Sequence, residues 1–560
     1  MATDALVAQL ERIAARLGSG DDVRVLLERP RKPEHGDFAT NLAMVLAGRL
    51  GRPPRSIAQD IVGSLDLSAA GLAGAEIAGP GFINFRLAAG SIQARVADII
   101  SADRAFGRGE RADRRRIQVE FVSANPTGPL HVAHGRGAVL GDAIAALLEY
   151  VGNDVHREFY VNDAGLQIDR LAESLEARWL EATGTPTAIP EGGYHGEYLR
   201  ELAASLEAEM GDALRAMPRD ERLRVLRERA TRTLREEQDR DLREFGVRFD
   251  EYFPESRLYE EGRLEETLDD LASRGLTYES EGAVWLRSSA FGDDKDRVLV
   301  KSDGSFTYFL PDIAYHRDKA RRGFEHVIDV WGADHHGYVP RMQAVLRALG
   351  MPDFLDVEIV QMVRIVRGGE EVKLSKRAGD IVALRDLIRE TGPDVARYFF
   401  LMRRGDAQML FDLDLALDHS EKNPVYKVQY AHARMCSIFR KAGVERTAVT
   451  GEADVSRLVE PAEQELIKQL VQYPEVVARA ADANSPHVVC DYLETTAGMV
   501  NSWYHAGNPS RNPELAVLVT DPALREARLS LTRAVQIVLR NGLELLGLTA
   551  PEQMQREEAQ

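Results

Sequence analysis

The sequence predicts an α/β chain: a parallel sheet split by insertions, a small α+β domain before it and an all-α helical bundle after it. Three observations carry this. An apolar run from Arg116 (Ile-Gln-Val-Glu-Phe-Val), a Pro/Gly loop, helical spacing over 138–151 and a second strand-like run over 156–161 make a βαβ unit. Strand-like runs return only at 327–331 and 357–363, far down the chain, so the sheet is interrupted. From Leu384 onward nearly every stretch has helical spacing, as at Val395, Tyr398, Phe399 and Met402, and later at Leu531, Val535, Val538 and Leu539.

The elements follow in order. Residues 1–90 open with Leu6, Leu10, Ile13 and Leu17 at helical spacing and close on Gly79-Pro80-Gly81 leading into a strand. Residues 91–115 read as a linker, since 101–115 is dense in Asp, Arg and Gly and has little to bury. The sheet domain is expected over 116–383, with insertions at about 170–245, long, helical and charge-rich, and about 262–306, and alternation over 283–309 suggests β structure. The helical domain takes 384–560, with a polar end over 553–560. Parallel βαβ topology places ligands at the carboxyl ends of the strands.

Composition narrows the function. In 560 residues, 71 Lys+Arg against 89 Asp+Glu leave a net charge of −18, which repels nucleic acid and anionic membrane at long range, so a polyanionic partner must meet a local basic surface. Two cysteines, Cys436 and Cys490, build neither a disulfide framework nor a four-thiolate zinc site, and no metal-ligand set stands out. A reducing, cytoplasmic setting is expected. The amino terminus lacks a basic flank before an apolar core, and the most apolar stretch, 138–151, is broken by Gly141, Asp142 and Glu149, so neither a signal peptide nor a membrane span is read.

Two constellations carry chemistry. In the loop from Glu120 to Arg136, His131 and His134 lie three apart where a Gly/Pro-rich segment enters a helix. Both imidazoles then share a face beside the free N–H groups of a helix start, which suits a phosphate gaining charge. A bare H-x-x-H is otherwise a surface accident or half a metal site, but no Cys or third ligand stands nearby. Gly135, Gly137 and Gly141 loosely echo a dinucleotide fingerprint, which leaves a nucleotide-dependent oxidoreductase as an alternative; the glycines follow the histidines, inside the helix rather than in the turn before it. The second constellation, Lys373-Leu374-Ser375-Lys376-Arg377 after Gly368-Gly369, is a cation pair suited to clamping a triphosphate, against the alternative of a solvated basic loop.

Together the two motifs resemble the HIGH and KMSKS signatures of class I aminoacyl-tRNA synthetases. In detail the chain resembles the arginyl-tRNA synthetase family, at Ser123-Ala-Asn125-Pro-Thr-Gly-Pro-Leu-His131, Tyr160-Val-Asn-Asp163, Trp331-Gly-Ala-Asp334-His335-His336, Asn423-Pro-Val-Tyr426, and Gly36-Asp37 and Gly79-Pro-Gly81 in the first domain. The resemblance implies a Rossmann-like catalytic domain, a first domain on the tRNA corner and a C-terminal anticodon-binding domain. It implies an arginine–tRNA ligase using ATP with Mg²⁺. The expected partners are L-arginine and arginine tRNA, with no DNA or membrane, and a monomer is expected; a non-catalytic tRNA-binding relative is the alternative.

By the same resemblance, His131, His134, Lys373 and Lys376 are catalytic. ATP would also meet Gly128, Gly135, Gly332, Asp334, Ser375 and the backbone at Met362 and Val363, whereas periodicity alone says only that the last two end a buried strand. A guanidinium is met by carboxylates, and the candidates are Glu120 and Asp312, the latter four residues after Tyr308. Ser123 and Asn125 would hold the α-amino and α-carboxylate end. A helix cap after Pro311 is the alternative for Asp312, and core packing for Tyr308. Asp394-Val-Ala-Arg397 is similar to the pattern naming the anticodon domain, and Tyr426, Gln429, Tyr430 and Arg434 are candidate tRNA contacts. The chain departs from the family where many members carry a lysine at the position of Gly128 and where some use a glutamine near His335.

Overall fold

The computed structural model describes residues 2–18, 23, 25–28, 30, 35–88, 90–109, 114–163, 165–185, 187–372 and 382–554. Two compact units emerge: Met1–Phe106 with Ala431–Gln472 and Thr496–Val538, and Gly107–Tyr430 with Tyr473–Thr495 and Leu539–Gln560. The stretch 384–560 is thus divided between them.

In the first unit, α1 (Ala2–Arg16), β1 (Phe38–Thr40), α2 (Leu42–Leu50), α3 (Pro54–Ser64), β2 (Leu72–Ala78) and β3 (Phe82–Leu87) form an α+β domain. Its antiparallel sheet, ordered β1-β3-β2, packs Ile83 and Phe85 against Leu6, Leu10, Leu46 and Ile57. Within the expected linker, α4 (Arg95–Ala102) is helical and buries Val96 and Ile99, an apolar stripe that the charge-dense residues after it mask in the sequence.

The second unit holds the central sheet. Its first strand and crossover helix are β4 (Arg116–Glu120) and α5 (Val132–Tyr150), followed by β5 (Asp154–Val161), the insertion helices α6 (Leu166–Ala182), α7 (Glu197–Ala216) and α8 (Arg219–Glu244), and β6 (Glu251–Pro254). Next come α9 (Ser256–Glu260), α10 (Arg263–Ser273), and a small antiparallel sheet of β7 (Thr277–Ser280), β8 (Ala283–Leu286) and β9 (Arg297–Val300). Then α11 (Phe309–Arg321), β10 (His326–Gly332), α12 (Val339–Ala348) and β11 (Leu355–Val360) complete the five-stranded parallel sheet in the order β11-β10-β4-β5-β6.

Four sequence expectations need adjustment. The crossover helix begins at Val132 rather than 138, because Gly135 and Gly137 are tolerated where the helix is pressed against the sheet. At Gly141 a Cβ would stand 2.2 Å from the Phe121 ring, so only glycine lets α5 lie this close. A fifth strand, β6, went unread because it is four residues long. The run over 357–363 is not one strand: β11 stops at Val360, and β12 (Val363–Arg367) starts a separate small sheet with β13 (Glu370–Glu371). Finally, α13 (Leu384–Thr391) and α14 (Pro393–Leu401) are followed by β14 (Met409–Asp412), a strand inside the helical stretch that pairs with β12 in parallel.

The remaining elements are α15 (Leu413–Ala416), α16 (Pro424–Ala442), α17 (Pro461–Val471), α18 (Tyr473–Asp482), α19 (His487–Ala506) and α20 (Pro522–Leu545). In the second unit Arg397 is buried, donating to the Leu546 carbonyl at 2.6 Å and to Asp142, while Asp394 accepts from Gln429 at 2.7 Å and from Thr549. The Asp394-Val-Ala-Arg397 motif therefore staples the chain end to α5. Among the described residues, no helix is long and apolar enough to cross a membrane.

Candidate active site

The three middle strands place Glu158, Glu120 and Asp329 side by side, since Glu120 pairs in register with both of the others. All three carboxylates are buried. Such a row is stable only with countercharge, and α11 supplies it. Lys319, fully buried, donates to Glu120 at 2.6 Å and to Asp329 at 2.8 Å. His316 bonds Asp329 at 3.0 Å, Tyr315 donates its hydroxyl to Glu158 at 2.5 Å, and Arg322 forks onto Glu158 at 2.5 and 2.8 Å. Burial pushes the Glu120 carboxyl up despite Lys319, whereas Asp329 stays below the usual range because Lys319 and His316 outweigh burial. Among the described residues, His156, Glu158 and Glu251 lie close enough to share a metal ion, but Arg322 already occupies both Glu158 oxygens.

The strand β4 ends on Glu120, and the chain turns sharply: Val122 and Ser123 have φ of 70° and 40°, left-handed values that non-glycine residues rarely adopt outside functional turns. Ser123 donates to Glu120 at 2.8 Å and accepts from the Tyr160 N–H at 3.2 Å, so the turn is held at the strand ends. Asn125 donates to Gln167 at 2.6 Å, and Gln238 donates to the carbonyls of Asn125 and Gly128. Gly128 faces Tyr198, whose hydroxyl would lie 3.3 Å from an added Cβ.

His131 caps α5 and its ring stacks on His134 with centroids 3.6 Å apart. The His131 N–H donates to His134 Nδ1 at 3.4 Å, which leaves the His134 proton on Nε2. Burial, then the neighbouring His131, lowers the His134 pKa to about 3, and burial also lowers His131, so both rings are neutral donors at pH 7. Gly135 packs on Leu384, whose Cδ1 would stand 2.4 Å from an added Cβ. The backbone of 130–132 pairs with 382–384 through Val132 N–H to the Val382 carbonyl and Leu384 N–H to the Leu130 carbonyl. The downstream flank of the second motif is therefore tied to the first. Lys373, Ser375 and Lys376 lie outside the described residues.

Tyr308 precedes α11 and is 82% exposed, so it is not a core residue. Asp312 lies inside the first turn, and Tyr308 rather than Asp312 occupies the cap position. The Asp312 carboxylate instead accepts the Tyr338 hydroxyl at 2.5 Å, and burial raises its pKa. Nearby, buried Glu255 follows β6 and is lifted to about 7 by burial and by the Asp312 charge. Glu255 was not among the sequence candidates; the only signal for it is an acid directly after Tyr252-Phe253-Pro254, at the carboxyl end of a short aromatic strand.

Gly332 ends β10, and Asp334 and His335 are exposed on the following turn, paired at 3.4 Å. Met362, 67% exposed, links β11 to β12, and Val363 opens β12. Of the tRNA candidates, Tyr426 and Tyr430 stack with centroids 5.7 Å apart, and Gln429 is buried against Asp394 and Thr549. In the first unit, Arg434 is buried, donating to Asn501 at 2.5 Å beneath Tyr504.

The chain is similar to known proteins over nearly its whole length. Residues 2–87 match the arginyl-tRNA synthetase N-terminal domain family, 95–398 the catalytic domain family of class I tRNA synthetases (R), and 428–554 the DALR anticodon-binding domain family. The arginine–tRNA ligase of Geobacillus kaustophilus is 48% identical over 545 residues, covering 97% of each chain. The chain belongs to the arginyl-tRNA synthetases. The Geobacillus thermodenitrificans arginine–tRNA ligase is 48% identical across 95% of this chain and 94% of its own. The Thermus thermophilus arginyl-tRNA synthetase superposes with a TM-score of 0.74 at 25% identity, covering 99% of this chain and 100% of its own. Glu120, His131, His134 and Asp312 fall within the residues matched to the family's catalytic domain.

Proposed function

We propose that this cleft carries out the arginine–tRNA ligase reaction of the family with the residues assembled above. An α-carboxylate oxygen of L-arginine attacks the α-phosphorus of magnesium-bound ATP in line, giving arginyl-adenylate and pyrophosphate. A hydroxyl of the terminal tRNA ribose then attacks the arginyl carbonyl and AMP leaves. No side-chain nucleophile is needed, because positioning and electrostatics supply the rate.

The observation that carries the specificity is the Glu255–Asp312 pair. Burial raises both carboxyls, the Asp312 charge adds to it at Glu255, and a guanidinium beside them relieves both penalties. Tyr308 closes over that end. Ser123 and Asn125 hold the α-amino and α-carboxylate groups, and Glu120, expected at the guanidinium, serves this end instead because its oxygens already accept from Ser123 and Lys319. His335, exposed beside Asp334 and near enough to act on the Asp312 charge, adds to the arginine-binding set. The neutral His131 and His134 donate to the α-phosphate as it becomes five-coordinate, beside Gly128 and Gly135. Gly332 and Asp334 take the ribose side, the backbone at Met362 and Val363 reads the purine, and Lys373, Ser375 and Lys376 meet the departing pyrophosphate. Mg²⁺ enters with ATP as part of the substrate.

Residues 1–90 contact the tRNA corner, 91–115 connect, 116–383 catalyse with insertions near 170–245 and 262–306, and 384–560 read the anticodon region. There the half-buried Tyr430 offers stacking surface, while Tyr426, buried and stacked on Tyr430, acts with Gln429 and Arg434 through the fold that they hold. The enzyme works in the cytoplasm as a monomer, without DNA or membrane partners. Citrulline tests the specificity: it copies the arginine shape without the charge. Arginine is expected to support ATP–pyrophosphate exchange at least about 10³-fold better in kcat/KM; comparable values would remove the carboxylate pair from the account.

A further inference from the structure

Arg136, the residue after His134-Gly135, is fully buried in α5 and points away from the histidines. Its guanidinium donates to three backbone carbonyls: Gln361 and Ala407, both at 2.9 Å, and Arg404 at 2.7 Å. The Gln361 N–H in turn donates to the Gly405 carbonyl at 2.9 Å. Both backbone polar groups of Gln361 are therefore committed, one to Arg136 and one to the turn that Arg136 also holds. Gln361 sits at the break between β11 and β12, directly before Met362 and Val363. The sheet ladders do not fix this break, since the two strands belong to different sheets.

Three successive residues of α5 thus serve three neighbours. His134 stays beside His131, Gly135 admits Leu384 and the downstream flank of the second motif, and Arg136 holds the strand break. We propose that Arg136 is a positioning residue for the nucleotide, setting the backbone at Met362 and Val363 relative to the histidine-bearing helix. The proposal rests on the reading that this backbone faces the purine. A lysine would not substitute for it: one ammonium on a flexible stem cannot span carbonyls that a planar fork reaches together. The two terminal nitrogens of Arg136 make these three bonds, while its buried Nε has no hydrogen-bond partner among the described residues.

The test is ATP–pyrophosphate exchange with saturating arginine and tRNA, using ATP and inosine triphosphate as alternative nucleotides, on the unsubstituted enzyme, Arg136→Gln and Arg136→Lys. Inosine triphosphate carries a carbonyl where adenine has its amino group, so a backbone that reads the purine edge discriminates between them. Arg136→Gln is expected to raise the KM for ATP about 10-fold, the scale of one lost buried charge-assisted interaction, and to narrow the ATP preference by a similar factor, with the KM for arginine within about twofold of normal. Arg136→Lys is expected to fall between and, as the milder change, serves if the glutamine variant does not fold. An unchanged ATP KM and unchanged preference in the folded variants would overturn the proposal. If the unsubstituted enzyme used both nucleotides equally, the reading of the purine edge itself would fail, an outcome distinct from the first.

Discussion

Burial and the neighbouring Asp312 carboxylate lift Glu255 to about 7, so its protonation changes across the physiological range. The sign follows directly. Below pH 7 the carboxyl holds a proton that a guanidinium must displace, so the arginine KM is expected to fall as pH rises from 6 to 8, and Glu255→Gln to flatten that profile; an unaltered slope in the variant would assign it elsewhere. The same group binds more protons folded than unfolded between its ordinary 4.5 and about 7, so its contribution to stability declines as pH rises through that window. Asp312→Asn is expected to raise the arginine KM strongly with little change in melting temperature, because Asp312 accepts Tyr338 and caps nothing. Lys319 behaves oppositely. Lys319→Met leaves Glu120 and Asp329 buried without their cation and is expected to destabilise by about 3–5 kcal/mol, read by denaturant unfolding; Lys319→Met combined with Asp329→Asn recovers part of that loss. Ser123, Asn125 and Asp312 are candidates through the family resemblance and Glu120 through its place on the first strand, but Lys319 and Glu255 are not legible, because neither periodicity nor motif reports which side chains the fold buries beside those acids.

At the scale of elements, the start of α5 does more than end a loop. His131 and His134 stand at its first turn, and its amino-terminal flank pairs with 382–384, the residues that follow the lysine loop. Gly135→Ala would drive a methyl into Leu384, so it is expected to displace that flank and to lower kcat for adenylate formation more than it lowers stability. Lys376→Ala is expected to lower kcat by on the order of 10²-fold or more with a smaller change in ATP KM, since charge on the departing oxygen grows as the bond breaks. Pre-steady-state adenylate formation checks both, and an effect confined to ATP KM would contradict the transition-state role. The βαβ unit and the later strands were legible because their apolar runs are long. The four-residue β6 and the parallel strand β14 were not: each is short, and each is held by its neighbours in the sheet rather than by a pattern of its own. The break at Gln361 was hidden for a related reason, since an exposed Met362 between two apolar runs reads as continuation.

Across the whole molecule, three family domains cover nearly the full chain while its contacts divide it into two units whose boundaries cross α16, α19 and α20. Sequence order and compactness differ here because the motif Asp394–Arg397 binds the chain end, residues 546 and 549, back to the catalytic unit. Helical spacing shows that such helices exist; it does not say which unit each will bury its stripe against. The net charge of −18 makes tRNA binding depend on local basic surface, so the tRNA KM is expected to rise with salt while the arginine KM changes little. Among the amino acids, arginine is the substrate that the proposed site is expected to activate. ATP–pyrophosphate exchange with each of the twenty amino acids, with and without arginine tRNA, tests it most directly. Exchange is expected with arginine alone; lysine supporting exchange at a comparable rate, or no exchange with arginine under either condition, would contradict arginine specificity.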